Sequence, residues 1–153
     1  MKILVDADSC PKGAREMVSR FAARLGIQAV FAANRPIPGA GNGTVCMELC
    51  PPGEGAADDR IAELARPGDL VVTRDLPLAQ RLVQAGVTAL DDRGRVFTQE
   101  NVRTLRSLRD FAVGLADSGQ ETVRTASYGG KELKAFANSL DRELTRLLKR
   151  PVT

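Results

Sequence analysis

The sequence contains no histidine and no tryptophan, a single tyrosine, and only 4% aromatic residues. Without histidine there can be no Ser–His–Asp triad, no Cys–His dyad, no histidine-ligated zinc and no imidazole base near neutral pH. Any chemistry falls to carboxylates, lysine, hydroxyls, thiols or a metal ion. With so few aromatics, the core must be built from Ala, Leu, Val and Ile, and a base-stacking platform is not expected. Cys10, Cys46 and Cys50 are odd in number and irregularly spaced, so buried free thiols are expected and a disulfide framework is not. No apolar run approaches the ~20 residues of a membrane-spanning helix. The opening MKILVDAD lacks the apolar segment of a secretory leader. A soluble, cytoplasmic protein is expected.

The chain has 153 residues, 43% of them hydrophobic and 27% charged, which suits a single domain with a sizeable core. The net charge of +3 is unevenly spread. Ten basic and twelve acidic residues precede Arg93, against twelve basic and seven acidic from Arg93 onward. An acidic front and a basic back could serve a metal at one place and a polyanion at another; a merely solvated surface explains the same asymmetry.

Short apolar runs at 3–5, 27–33, 44–49, 69–73 and 87–90 read as strands. Helical spacing falls between them, at 11–25, 56–66 and 77–86. Gly26, Pro67-Gly68 and Gly86 act as stops. The order β-α-β-β-α-β-α-β predicts a three-layer α/β/α fold around a mostly parallel sheet of about five strands. Two further helices follow, at 98–115 and 131–150, separated by a polar loop over 117–130. Residues 1–97 would form the α/β core and 98–153 a basic helical part of the same domain. In the last helix, Leu133, Phe136, Ala137, Leu140, Leu144 and Leu147 form one stripe at 100° per residue, with Lys131, Arg142, Arg146 and Lys149 opposite.

Open parallel sheets bind ligands at the carboxyl ends of their strands. Asp6 and Asp8 follow the first strand, Asp58-Asp59 opens the helix after the third, and Asp75 follows the fourth. Gathering carboxylates is unfavourable unless a cation sits among them, and a hard dication such as Mg²⁺ or Mn²⁺ takes oxygen ligands. Each residue also has a local explanation. Asp6 or Asp8 could cap the first helix, Asp58 or Asp59 the second, and Asp75 could start a turn before Pro77. Asp91-Asp92 before Arg93-Gly94 reads as a turn. Arg103, Arg106 and Arg109 on the fourth helix, with Lys131, Lys134 and Arg142 on the fifth, could follow a phosphate backbone.

The segments Val5-Asp6-Ala7-Asp8-Ser9-Cys10-Pro11, Ala56-Ala57-Asp58-Asp59-Arg60-Ile61, Gly68-Asp69-Leu70-Val71-Val72-Thr73-Arg74-Asp75-Leu76-Pro77-Leu78-Ala79 and Lys134-Ala135-Phe136-Ala137-Asn138 together resemble the YaiI/YqxD family of small, uncharacterised bacterial proteins. The resemblance implies a PIN-like fold, and many PIN-like domains are Mg²⁺- or Mn²⁺-dependent nucleases. It places Asp6, Asp58 and Asp75 in catalysis and metal binding, Asp8 beside them as a further metal ligand, and Thr73 and Asp59 in support. It also implies a possible homodimer, since PIN-like relatives often pair. Where the family reads Asp-Ala-Ala-Asp, this chain has Gly55-Ala56-Ala57-Asp58, which implies one ion in place of two, or binding without turnover. Where the family has Thr-Gly-Gly-Pro, the late loop reads Glu121-Thr122-Val123-Arg124.

Three functions compete. The first is a Mg²⁺- or Mn²⁺-dependent nuclease acting on RNA. The second is a haloacid-dehalogenase-type phosphatase, because Asp6-Ala7-Asp8 after a strand resembles that nucleophile motif, with Asp6 as nucleophile and Asp8 as acid/base. No lysine lies between Thr73 and Asp91, where such an enzyme wants one. The third is a non-catalytic binder of nucleic acid or of a partner protein.

Overall fold

The apolar run Ile3-Leu4-Val5 lies at the centre of a five-stranded parallel sheet, fully buried. A parallel sheet is covered on both faces, so its strands read as continuous apolar runs without polar alternation. The chain order is β1 (Lys2–Asp6), α1 (Lys12–Leu25), β2 (Gln28–Ala33), β3 (Val45–Leu49), α2 (Ala56–Leu64), β4 (Leu70–Val72), α3 (Leu76–Gln84), β5 (Thr88–Leu90), α4 (Gln99–Asp117) and α5 (Gly130–Lys149). This computed structural model describes residues 1–41, 43–53, 55–117 and 128–149. The order and type of the elements are those expected from the sequence. Most of the loop expected at 117–130, including Glu121–Arg124, lies outside the described residues.

The strand order is β3-β2-β1-β4-β5. Leu4 pairs in register with Val30 of β2 on one side and with Val71 of β4 on the other. Ile3, Val5, Phe31, Val72 and Leu90 face a layer formed by α1 and α5. Leu4, Val30, Ala32, Val71 and Ala89 face a layer formed by α2, α3 and α4. The last helix belongs to the core: Phe136, Leu140 and Leu144 are buried beside Ile3 and Val5. Each such side chain contributes roughly 1.5–3 kcal/mol by burial.

The β5 strand is followed by a tight return in which Asp91 Oδ1 accepts from the N–H groups of Arg93 and Arg95, both at 2.9 Å. Val96 then bridges antiparallel to Leu90. Gly94, at φ +91°, lies against the start of α5, where Ser139 Oγ donates to its carbonyl at 2.6 Å. All three cysteines are free. Among the described residues, no helix is long and apolar enough to cross a membrane.

The strand order reverses at β1: the chain moves outward through β2 and β3, then returns past β1 to β4 and β5. The crevice between the carboxyl ends of β1 and β4 is therefore the topological switch point, where sheets of this kind bind ligands.

Candidate functional site

Asp6 ends β1, and Thr73 and Asp75 follow β4, so all three stand at that crevice. Asp58, in the first turn of α2, joins Asp6 and Asp75 in lining a cleft of about 420 Å³. Thr73 is buried between the two strand ends, where its Oγ1 donates to Asp6 Oδ2 at 3.3 Å and accepts from the Asp75 N–H at 3.0 Å. Asp75 caps α3, with Oδ1 accepting from the Leu78 N–H at 2.7 Å. Asp75 therefore has a local role, as a helix cap in place of the turn expected before Pro77, and it lines the cleft as well.

The other acidic residues are not caps. Pro11 stands at the N-cap of α1 and Gly55 at that of α2, and neither helix has a side-chain cap. Because β1 stops at Asp6, Asp6 and Asp8 are not forced to opposite faces, and both line the cleft. The Asp8 carboxylate is occupied, however. Its Oδ2 accepts from the Asn34 N–H at 3.0 Å and its Oδ1 lies 3.4 Å from Arg35 Nε, tying the ends of β1 and β2 together. Asp59 is not brought to the cleft; it is exposed and pairs with Arg81 at 2.9 Å.

Burial raises the pKa of Asp6, with the Thr73 hydrogen bond acting against it. Asp58 is pushed up to about 7, by burial first and then by the charges of Asp75 and Asp6, and it shares a side-chain hydrogen bond with Asp75. Near neutrality, then, a proton relieves the repulsion among these carboxylates. Among the described residues, no three acidic or cysteine side chains sit close enough to enclose a metal ion. The donors facing the cleft are nonetheless carboxylate oxygens, the set that suits Mg²⁺ or Mn²⁺.

Two arginines also line the cleft, Arg74 and Arg109. Arg74 Nε lies 2.7 Å from Oδ2 of Asp92, which is only 2% exposed. The contact is one of charge, since neither Asp92 oxygen has an aligned hydrogen bond among the described residues. Asp92, expected only as part of a turn, is thus a buried carboxylate that draws Arg74 away from the acidic group. Arg109 is exposed at the lip. It is one of the three α4 arginines expected from the sequence to follow a phosphate backbone, and it stands on the same face as Arg106, three residues earlier.

The remaining basic residues do not form one surface. Arg103 is exposed on α4, and Arg106 hydrogen-bonds Gln80 of α3. Lys131, Lys134 and Arg142 are exposed on α5, in the layer across the sheet. Lys131 and Lys134 lie on the first turns of α5, where Glu132 pairs with Arg93 of the post-β5 return at 3.7 Å.

A family model described as "Uncharacterized BCR, YaiI/YqxD family" matches residues 4–146. The chain is 46% identical over 149 residues to a "UPF0178 protein" of Treponema pallidum, covering 97% of this chain and 84% of that one. It is 42% identical over 147 residues to a namesake in Ectopseudomonas mendocina, covering 96% and 99%. A third, from Myxococcus xanthus, is 44% identical over 149 residues, with 97% of each covered. No solved structure matches the chain.

Proposed function

Since this chain belongs to the YaiI/YqxD family of uncharacterised bacterial proteins, which fixes its kin but no reaction, we propose from the cleft itself that it is a metal-dependent nuclease hydrolysing phosphodiester bonds of single-stranded RNA. The observation that carries this reading is the convergence of Asp6, Asp58 and Asp75, from three separate elements, on the switch point of the sheet.

Asp6, Asp58 and Asp75 would hold one Mg²⁺ or Mn²⁺ ion, with Asp8 at the margin. When bound, such an ion supplies an activated water and neutralises charge on a phosphoryl group. The chain's own residues do the rest. Thr73 fixes Asp6 relative to the Asp75 backbone. Asp58, which burial and then its carboxylate neighbours keep protonated, would release that proton to solvent to serve as a third anionic ligand. Arg109, at the lip, meets a phosphate of the entering strand. Arg74 stays with Asp92, which keeps a competing cation off the carboxylates. Asp8 is engaged by Asn34 and Arg35, so it is poorly placed to serve as the acid/base of an aspartyl-phosphate enzyme.

The test is cleavage of single-stranded RNA by the purified protein with Mn²⁺. Asp75→Asn is the variant of choice because asparagine keeps the α3 cap while removing the charge. Cleavage by the wild type that is lost in the variant is expected. Equal inertness of both proteins on varied nucleic acids with metal present overturns the reading.

A further inference from the structure

A second concavity, of about 580 Å³, lies on the opposite face of the sheet, between α1 and the loop that leaves β2. Phe31 and Pro38 give it an apolar lining. The α1 wall carries Lys12, Arg15, Glu16 and Arg20, which recur at helical spacing. Glu16 approaches Lys12 at only 3.9 Å, and both side chains are largely exposed, so that pair is weak. The wall thus carries a surplus of two positive charges.

Arg15 is the unusual member. Its Nε and Nη1 are shielded from water and have no hydrogen-bond partner among the described residues. Such groups are nearly always satisfied in folded proteins, and a desolvated cation without a partner is costly. Asp92, which shares the surroundings of Cys10 with Arg15, is in contact with Arg74 instead. Arg15 also lines the groove, so an anion seated there would lie beside its guanidinium, whose fork suits a phosphate oxygen pair. Lys12 opens α1 three residues after Ser9, and Pro38 comes four residues after Asn34. Ser9 and Asn34 both line the acidic cleft, so the groove and the cleft meet the same rim of the sheet.

We propose that this groove is a phosphate-binding subsite, in which Arg15, Lys12 and Arg20 seat a phosphate of a nucleotide strand that extends from the acidic cleft. The charge of the groove stands on its own; its service to a strand rests on the reading of the cleft given above.

The experiment is calorimetric titration, with a chelator present, of the intact protein with three probes: inorganic phosphate, a mononucleotide, and a 5′-phosphorylated RNA tetranucleotide. The tetranucleotide is expected to bind tightest. Arg15→Met should weaken it by about tenfold or more, the usual worth of a charge-assisted hydrogen-bond pair. Lys12→Gln/Arg20→Gln should weaken it less. Arg15→Met should also keep or raise thermal stability, since it removes two shielded guanidinium nitrogens that have no partner among the described residues; strong destabilisation would instead make Arg15 a structural partner of Asp92 and overturn the proposal. If Arg15→Met does not fold, the Lys12→Gln/Arg20→Gln protein decides, and undiminished binding by it counts against the groove. Equal affinity for mononucleotide and tetranucleotide overturns the strand assignment. Phosphate binding that depends on Arg15 in a protein without nuclease activity would leave the groove and remove the nuclease. Asp75-dependent cleavage with binding indifferent to Arg15 would do the reverse.

Discussion

The Thr73 hydroxyl donates to Asp6 Oδ2 at 3.3 Å, joining the carboxyl ends of β4 and β1. The same oxygen accepts from the Asp75 N–H, so one buried side chain holds two of the three cleft carboxylates in register. Thr73→Val has nearly the same shape but neither hydrogen bond. It should cost about 1–3 kcal/mol, the penalty for stranding buried polar groups, read as a lower urea midpoint. It should also weaken Mn²⁺-dependent cleavage. Thr73→Ser should recover most of both.

Asp58 gives a prediction about pH in the metal-free protein. Its folded pKa of about 7 lies above the unfolded value of 3.8, so folding favours the protonated form. Its contribution to stability is full below pH 3.8 and is lost as pH rises through 7. Melting temperatures taken with a chelator should therefore fall between pH 5 and pH 8. Asp58→Asn should flatten that decline, and an equally steep slope in the variant would show that other groups cause it.

The sequence displayed the layers more plainly than the site. Runs such as Ile3-Leu4-Val5 and Leu70-Val71-Val72 are apolar on both faces, which only a covered parallel sheet requires. The stripe of Phe136, Leu140, Leu144 and Leu147 likewise showed which face of α5 is buried. The strand order was not visible, because β1 meets β4 across a long stretch of chain through backbone hydrogen bonds that no side chain specifies. Nor was the division of labour in Asp91-Asp92: Asp91 makes the turn, while Asp92 is buried against Arg74. Adjacent residues of one type can have opposite fates, and only tertiary packing decides between them. Asp58 and Asp59 repeat the lesson, one facing the cleft and the other Arg81.

The Arg74–Asp92 contact should prove structural. Arg74→Met strands a buried carboxylate and should destabilise the protein by about 3 kcal/mol at neutral pH, the low end for breaking such a pair because Arg74 is partly exposed. Burial already raises the pKa of Asp92, with Arg74 opposing the rise. Without Arg74 the carboxyl should take up a proton more readily, and the loss should shrink at pH 5. Denaturant titrations at the two pH values measure this; an equal deficit at both would rule out charge as the cause.

Gly94 anchors α5, and its environment differs sharply from that of Gly26. A Cβ at Gly94 would lie 2.5 Å from the Ala135 carbonyl oxygen, on a backbone already at φ +91°. A Cβ at Gly26, at φ +67°, would meet nothing within 4 Å. Gly26→Ala should cost about 1 kcal/mol, the backbone term alone. Gly94→Ala adds overpacking and should cost about 2–5 kcal/mol in total. Thermal unfolding of the two variants side by side checks the difference, and comparable losses would mean that α5 can shift to accommodate the methyl group.

The most direct test of the metal site is a crystal grown with Mn²⁺ and examined by anomalous scattering. A metal held by the cleft carboxylates predicts one strong peak bounded by Asp6, Asp58 and Asp75, absent from crystals of Asp75→Asn. A featureless cleft at saturating Mn²⁺, with Asp58 still hydrogen-bonded to Asp75, would contradict it.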